Sequence, residues 1–126
     1  MIFRILKSGV FLCLPYFVTL SFYKCLSDDT RLKALMLIYL EKELCVCDLI
    51  TALELSQPKV SRHLADLRKC QILLDERRGK WVYYSVNPKL PEWAMKVLEL
   101  TAHNTEAYLN EHITNLNMAK QSECCS

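Results

Sequence analysis

The sequence predicts a mainly α-helical domain with a β-hairpin wing, a winged helix-turn-helix that forms a homodimer. Three observations support this prediction. Only two glycines and four prolines occur among 126 residues, so few tight turns interrupt the chain. Two short segments with apolar residues at helical spacing meet at Ser56, which is typical of a helix-turn-helix. Two strand-like segments then flank Gly79, which can adopt the positive φ that a hairpin tip requires.

The first two helices are predicted from a break at Ser27. A short helix should cover residues 17–26, and Ser27 should then cap a second helix. Asp28 and Asp29 would lie in its first turn, where negative charge complements the helix dipole. The apolar residues of this second helix recur at the spacing of one buried face. They are Leu32, Leu35, Met36, Tyr39 and Leu40.

The helix-turn-helix itself is predicted from the next two segments. A short apolar helix is expected over residues 46–53, followed by a second cap at Ser56. Pro58 would lie in the first turn of the new helix, where its missing N–H costs little. That helix should end near Cys70 and bury a stripe of apolar residues. The stripe consists of Val60, Leu64 and Leu67.

The wing is predicted from two segments rich in aliphatic and aromatic residues, 72–76 and 81–86. Between them lies a basic tip made of Arg77, Arg78, Gly79 and Lys80. A hairpin with such a tip, directly after a basic helix, suits double-stranded DNA. The helix would read the major groove while the tip contacts the phosphate backbone or the minor groove.

A last long helix is predicted over residues 92 to about 115. Its apolar stripe is too large for so small a chain to cover alone, which favours a homodimer. The stripe consists of Trp93, Val97, Leu100, Tyr108 and Leu109. We expect residues 1–17 to be an extension outside the domain, residues 18–116 to form the domain, and residues 117–126 to be a flexible tail containing cysteines.

The charge distribution also favours DNA. Residues 56–82 contain seven lysines and arginines against three acidic residues, a net charge of +4, whereas the whole chain carries +2. A basic segment on a near-neutral body is typical of a nucleic-acid interface, although charge alone fits an ordinary solvated face equally well. Apolar residues at 8–23 superficially resemble a signal peptide, but Pro15 interrupts them and no small-residue cleavage site follows.

The seven cysteines do not form the pattern of a secreted disulfide framework, because their number is odd and their spacing irregular. Reduced thiols in a cytoplasmic protein are therefore expected. No Cys-x-x-Cys motif occurs, and no acid or histidine relay accompanies the thiols, so a small thiol reductase is a remote alternative and no enzyme activity is expected.

Four ordered segments carry a family resemblance: residues 26–32, 43–49, 56–64 and 79–84. Residues 43–49 read Glu-Leu-Cys-Val-Cys-Asp-Leu, and residues 56–64 read Ser-Gln-Pro-Lys-Val-Ser-Arg-His-Leu. They resemble the ArsR-type metalloregulators, in the version found in arsenical-resistance repressors, and the likeness extends over about residues 22–102.

The resemblance implies a dimeric repressor that leaves its operator DNA when Cys45 and Cys47 bind As(III) or Sb(III) as inducer. It implies no permanently bound cofactor and no stable membrane association. The helix after Ser56 would read DNA, with its contacting residues on the exposed side. The implied DNA-binding residues are Ser56, Gln57, Lys59, Ser61, Arg62 and His63, with Arg77, Arg78 and Lys80 on the phosphates. For His63, packing beside the wing is an equal alternative.

One departure from the family pattern concerns the third ligand. Several relatives carry a third cysteine three residues after the second, where this chain has Ile50. A third sulfur would have to come from elsewhere in the chain, or a small exogenous thiol or water would complete the coordination. The candidates in the chain are Cys25, Cys70, Cys124 and Cys125.

A cadmium- or lead-responsive repressor of the same fold, recruiting Cys13 and Cys25, is the main alternative. The histidine and aspartate pattern of zinc-type relatives is absent, so His103 and His112 are expected to face solvent.

Helical geometry adds a mechanism. Residues two apart on an α-helix project about 200° from each other, so two such sulfurs cannot hold one ion without distortion. We therefore expect binding at Cys45 and Cys47 to unwind or shift the start of the helix that contains them. Because that helix supports the DNA-reading helix, the distortion would lower DNA affinity.

Overall fold

Helices make up most of the chain in a computed structural model that describes residues 18–121. The helices are α1 Thr19–Leu26, α2 Asp29–Glu41, α3 Val46–Leu53, α4 Gln57–Lys69, α5 Glu92–His103 and α6 Glu106–Gln121. The strands are β1 Leu44–Cys45, β2 Leu73–Arg78 and β3 Trp81–Val86. The predicted fold class, helices with a β-hairpin wing, is confirmed. Residues 1–17 and 122–126 lie outside the described part, so the predicted extension and the end of the tail are not tested.

The boundary between α1 and α2 differs from the prediction by one residue. Ser27 ends α1, and its hydroxyl donates a hydrogen bond to the Lys24 carbonyl at 2.8 Å. Asp28 is the N-cap of α2, and its carboxylate accepts from the Arg31 N–H at 3.0 Å. Both residue types cap helices well, and here the longer carboxylate reaches the N3 amide while the serine turns back to α1.

The helix-turn-helix, α3 and α4, follows the prediction closely. The predicted bounds of α3 are confirmed, and Ser56 caps α4 by accepting from the Lys59 N–H at 3.4 Å. Pro58 lies in the first turn of α4, as expected. The predicted apolar stripe of α4 is buried and packs into one core with α2, α3 and α5. Its residues are Val60, Leu64 and Leu67.

The wing, defined as the β2–β3 hairpin, belongs to a three-stranded antiparallel sheet of order β1-β3-β2. Strand β1 was not predicted, because two residues are too few to show an alternating pattern. Its residues Leu44 and Cys45 pair with Tyr84 and Tyr83 of β3. The wing tip is shorter than predicted, because Arg78 and the residue before it lie within β2. Gly79 at the turn has a φ of 64°, as expected.

The prediction of one long C-terminal helix is wrong, since α5 ends at His103 and α6 begins at Glu106. Side chains near the break hydrogen-bond back to the carbonyl four residues earlier. Thr101 donates to Val97 at 2.6 Å, Asn104 to Leu100 at 2.7 Å, and Thr105 to Thr101 at 2.8 Å. Such side chains compete with the helical backbone and favour a break.

Helix α6 folds back onto α2 and α3, which buries Leu109 and Leu116 completely. It continues to Gln121, five residues beyond the predicted domain end, so the domain boundaries remain predictions. Within residues 18–121, no helix is both long enough and apolar enough to cross a membrane.

Candidate thiol site and nucleic-acid interface

Cys45 and Cys47 lie at the junction of β1 and α3, where the helix-turn-helix begins. Cys45 is the N-cap of α3 with extended backbone (φ −93°, ψ 166°), and only Cys47 is inside the helix. Cys45 is fully buried and its N–H donates to a carboxylate oxygen of Asp48 at 3.2 Å, whereas Cys47 is half-buried. The helical conflict expected for residues two apart is therefore smaller than predicted, because Cys45 is already outside the helix.

The oxidation state differs from the expectation of reduced thiols. Cys45 and Cys47 each take part in a disulfide. Cys25 and Cys70 are joined to each other by a disulfide, 45 positions apart in sequence. The irregular spacing of the cysteines did not reveal this second pair, because helix packing rather than chain proximity brings its members together.

A third metalloid ligand is not found near Cys45 and Cys47 in the part of the chain that the structure describes. Among residues 18–121, no three His, Cys, Asp or Glu side chains cluster as ligands. Cys25 and Cys70, two of the predicted candidates, contact each other instead. The other candidates, Cys124 and Cys125, and Cys13 of the cadmium alternative lie outside the described residues.

Helix α3 is anchored at its far end by α6. The Ala52 carbonyl accepts from Asn115 Nδ2 at 3.2 Å and lies 3.0 Å from His112 Nδ1. The expectation that His112 faces solvent is therefore wrong, because the turn after α5 brings α6 back across α3. His103 is exposed, as predicted. The C-terminal end of α3 is therefore tied to α6, whereas its start adjoins β1 and Cys45.

The exposed face of α4 carries most of the predicted DNA-binding residues. Ser56, Gln57, Lys59 and Arg62 are exposed, and Ser61 is half-buried. Gln57 Nε2 donates to the Ser61 hydroxyl at 3.4 Å, and this hydrogen bond lies at the protein surface. Together with the basic residues at the end of α4, Arg68 and Lys69, this face presents positive charge and hydrogen-bond donors.

His63 does not lie on that face. Its side chain is only 13% exposed, and Nδ1 is 3.8 Å from a carboxylate oxygen of Asp28 at the start of α2. Nδ1 is buried, without a hydrogen-bond partner among the described residues. Of the two alternatives left open for His63, its burial favours packing, although the contact is with the start of α2 rather than with the wing.

The wing carries its positive charge unevenly. Arg77, near the end of β2, and Lys80, in the turn, are both exposed, and Lys80 lies above the Trp81 ring. Arg78 forms ion pairs with Glu43 at 2.5 Å and with Glu76 at 2.8 Å. The hydrogen bond to Glu43, and to a smaller extent the one to Glu76, raises the pKa of Arg78 above its usual range.

The Arg78–Glu43 ion pair has a consequence for the thiol site. Glu43 directly precedes β1, so the pair joins the wing to the strand that contains Cys45. Sequence reasoning missed this contact, since its members are 35 positions apart and exposed pairs leave no periodic signal.

An apolar surface lies on α1 and α5. Leu20 is 63% exposed and Leu100 is 62% exposed. On the same two helices, Tyr23 stacks on Trp93 with ring centroids 6.1 Å apart, and both are exposed. Exposed apolar patches of this kind mark interaction surfaces.

These features define a class of protein, a winged helix-turn-helix transcription regulator with a thiol pair at the start of its helix-turn-helix. The family model of bacterial regulatory proteins of the arsR family matches residues 28–73. The chain belongs to this family.

Two relatives are similar over most of the domain. The arsenic resistance transcriptional regulator ArsR1 of Pseudomonas putida is 51% identical over 70% of this chain and 69% of its own length. ArsR2 of the same organism is 47% identical over 82% of this chain and 94% of its own length. Among solved structures, the AntR antimony-specific transcriptional repressor has a TM-score of 0.58 at 25% identity. The match covers 83% of this chain and 96% of that one.

Proposed function

We propose that the chain is a cytoplasmic, metalloid-responsive repressor that binds operator DNA as a homodimer. It leaves the DNA when As(III) or Sb(III) binds the reduced Cys45 and Cys47. The observation that carries the proposal is the position of these cysteines, at the junction of β1 and α3, where a change is passed directly to the helix-turn-helix. The names of the similar regulators support the choice of metalloid.

The chemistry of two thiols suits this ligand. Thiolates are soft ligands that favour thiophilic ions, and each thiol can replace one hydroxyl of arsenous acid with release of water. Cys47 lies in the first turn of α3, where the positive end of the helix dipole favours a thiolate. A third ligand would come from the C-terminal residues Cys124 and Cys125 or from a small exogenous thiol.

Two routes connect this site to the DNA-binding surface. Because the C-terminal end of α3 is held by Asn115, a shift at its start tilts α3 against α4. The second route passes through the sheet, since Cys45 pairs with Tyr83 on β3 and Glu43 holds Arg78 of the wing. Linkage requires that DNA weaken metalloid binding by the same factor by which the metalloid weakens DNA binding.

A homodimer would cover the apolar surface of α1 and α5. Burying Leu20, Tyr23, Trp93 and Leu100 against the same residues of a second chain forms a two-fold interface. Such a dimer presents two α4 helices to an inverted repeat with half-sites about one helical turn apart. Introducing a charge by Leu100→Glu should convert the dimer to monomer in light scattering, while Glu99→Gln on the same helix should not.

The central experiment is a DNA-release titration of the full-length reduced protein on the duplex upstream of its own gene. Arsenite, antimonite, cadmium and zinc ions are added separately, and release is followed by fluorescence anisotropy. Cys45→Ser and Cys47→Ser should each abolish release by arsenite, whereas the matched controls Cys25→Ser and Cys70→Ser should retain it. If both serine variants still release DNA at the arsenite concentration that releases the wild type, the assigned site is refuted.

The same titration distinguishes the remaining alternatives. Release by cadmium but not by arsenite would favour the cadmium-responsive repressor over the proposed one. A truncation after Ala119 that alone abolishes release would assign the third ligand to Cys124 or Cys125.

For the DNA contacts, Lys59→Ala and Lys80→Ala should each lower the slope of log K against log salt by about one, as expected for one phosphate contact.

A further inference from the structure

A second pair of cysteines lies at the opposite end of the helix-turn-helix. Cys25 is in the last turn of α1, and Cys70 is the C-cap of α4. The two are joined in a disulfide, with Cα atoms 7.3 Å apart. Since neither residue belongs to the group at β1 and α3, this pair needs an explanation independent of the proposed metalloid site.

The pair lines a surface cavity of about 280 Å³ that also has three cationic side chains and one carboxylate. These are Lys24, Arg31, Lys69 and Asp66. Arg31 is held in place, because its Nε donates to the Cys25 carbonyl at 3.0 Å and its Nη1 lies 3.5 Å from Asp66. Cationic surroundings favour the thiolate, which is the reactive form of cysteine.

The two sulfurs differ in access. Cys25 is only 6% exposed, whereas Cys70 is half-buried and faces the cavity. Each sulfur also lies near a backbone carbonyl of the opposite helix. Cys25 Sγ is 3.8 Å from the Asp66 carbonyl oxygen, and Cys70 Sγ is 3.7 Å from the Ser21 carbonyl oxygen. These contacts hold the side chains towards each other, with one sulfur open to a small reagent and the other behind it.

We propose that Cys25 and Cys70 are a redox-active thiol pair that reacts with hydroperoxides. The Cys70 thiolate attacks one peroxide oxygen, and the O–O bond breaks to give a sulfenic acid and, after protonation, an alcohol or water. The Cys25 thiolate then attacks the Cys70 sulfur, and the sulfenic hydroxyl leaves as water after protonation. The two thiols supply two electrons, which reduce the peroxide.

The disulfide joins two parts of the molecule with different roles. Cys70 ends α4, whose exposed face carries the proposed DNA contacts, while α1 carries Tyr23 of the apolar surface. Oxidation therefore ties the end of the DNA-reading helix to the proposed dimer surface. Reduction releases that connection and leaves only non-covalent packing.

The test uses the full-length protein, first reduced, then freed of reductant and treated with equimolar hydrogen peroxide. Remaining thiols are alkylated, and the digested protein is examined by peptide mass mapping. We expect loss of the two alkylation sites at Cys25 and Cys70 and the appearance of one peptide that links them. The linked peptide should form equally in a Cys45→Ser, Cys47→Ser double variant, which separates this proposal from the metalloid site.

Single variants assign the order of reaction. With Cys25→Ser, the sulfenic acid should persist on Cys70 and be captured by dimedone, because the resolving thiol is missing. With Cys70→Ser, Cys25 should stay alkylatable after peroxide. Recovery of both residues in alkylated form from peroxide-treated wild-type protein would overturn the proposal, as would linkage of either residue to a different cysteine.

Discussion

The two thiol pairs of this protein bracket the helix-turn-helix, and they were assembled in different ways. Cys45 and Cys47 are two positions apart, and the start of a single helix places both. Cys25 and Cys70 are 45 positions apart, and only the packing of α1 against the end of α4 brings them together. The first pair therefore depends on local backbone geometry, whereas the second reports on the tertiary structure.

This difference separates the expected roles of the pairs. A ligand at the first pair acts on the backbone that begins the helix-turn-helix and, through β1, on the wing. A bond at the second pair restrains the position of a helix that is already formed. Damage to core packing should consequently affect the second pair much more than the first.

The largest effect is expected from Leu67→Ala, because Leu67 is fully buried on α4 one turn before Cys70. Removing its side chain should destabilise the protein by about 2–5 kcal/mol in urea unfolding. Formation of the Cys25–Cys70 disulfide should slow, while arsenite binding to the folded protein should change little. Met118→Ala, at an exposed position on α6 outside the proposed dimer surface, is the control. If Leu67→Ala impaired disulfide formation at Cys25 and Cys70 and arsenite binding at Cys45 and Cys47 equally, the distinction between the two pairs would be contradicted.

The next effect concerns the disulfide itself. Because it closes a loop of 45 residues, reduction should lower the free energy of unfolding by about 2–4 kcal/mol. The same reductant should have no such effect on a Cys25→Ser, Cys70→Ser variant. Denaturant unfolding with and without reductant measures both values. If the double variant is as sensitive to reductant as the wild type, the stabilisation comes from other cysteines.

A smaller effect is expected at the ion pair between the wing and β1. Glu43→Gln should weaken the coupling between metalloid and DNA a few-fold, since it removes one link from Cys45 to Arg78. The ratio of DNA dissociation constants with and without arsenite measures this coupling. Glu76→Gln removes the other carboxylate on Arg78 but leaves β1 untouched, and it should preserve the ratio. An equal loss in both variants would exclude the sheet route.

The smallest effect is expected at a contact between α6 and α2. The Tyr108 hydroxyl donates to the Asp29 carboxylate at 2.6 Å, and this bond, more than the nearby Lys33, holds the pKa of Asp29 below its usual 3.8. A depressed carboxyl pKa stabilises the fold above the unfolded-state value and loses that effect as pH falls through the folded-state value. Burial and Asp29 raise the pKa of Tyr108, so its hydroxyl remains a donor at neutral pH.

Thermal unfolding from pH 7 to pH 2 tests this contact. Tyr108→Phe should lower the Tm at pH 7, and its difference from the wild type should shrink as pH falls below 4. Asp29→Asn keeps a hydrogen-bond acceptor but has no titrating charge. In this background, adding Tyr108→Phe should therefore lower the Tm by the same amount at every pH from 7 to 2. A difference between Tyr108→Phe and wild type that stays constant down to pH 2 would show that the carboxylate charge plays no part.

Much of the fold was predictable because its signals are local. The cap at Ser56, the turn at Gly79, the apolar stripe of α4 and the strand composition of the wing each depend on a few consecutive residues. The break between α5 and α6 was not predicted, because threonine and asparagine at 101–105 are tolerated in helices as well as at their ends. The two alternatives for His63 stayed open because periodicity does not reveal that α2 packs against α4 at that position.

By itself, the sequence determined the positions of the helix-turn-helix and the wing. It also determined that Cys45 and Cys47 lie at one place, since residues two apart share one local backbone geometry. Only the tertiary structure decided three further features, namely the Cys25–Cys70 pair, the pairing of β1 with β3, and the ion pair that holds Arg78 to Glu43. Each of these joins residues at least 35 positions apart. Contacts at such separation depend on how whole helices and strands pack, and packing leaves no periodic trace in the chain.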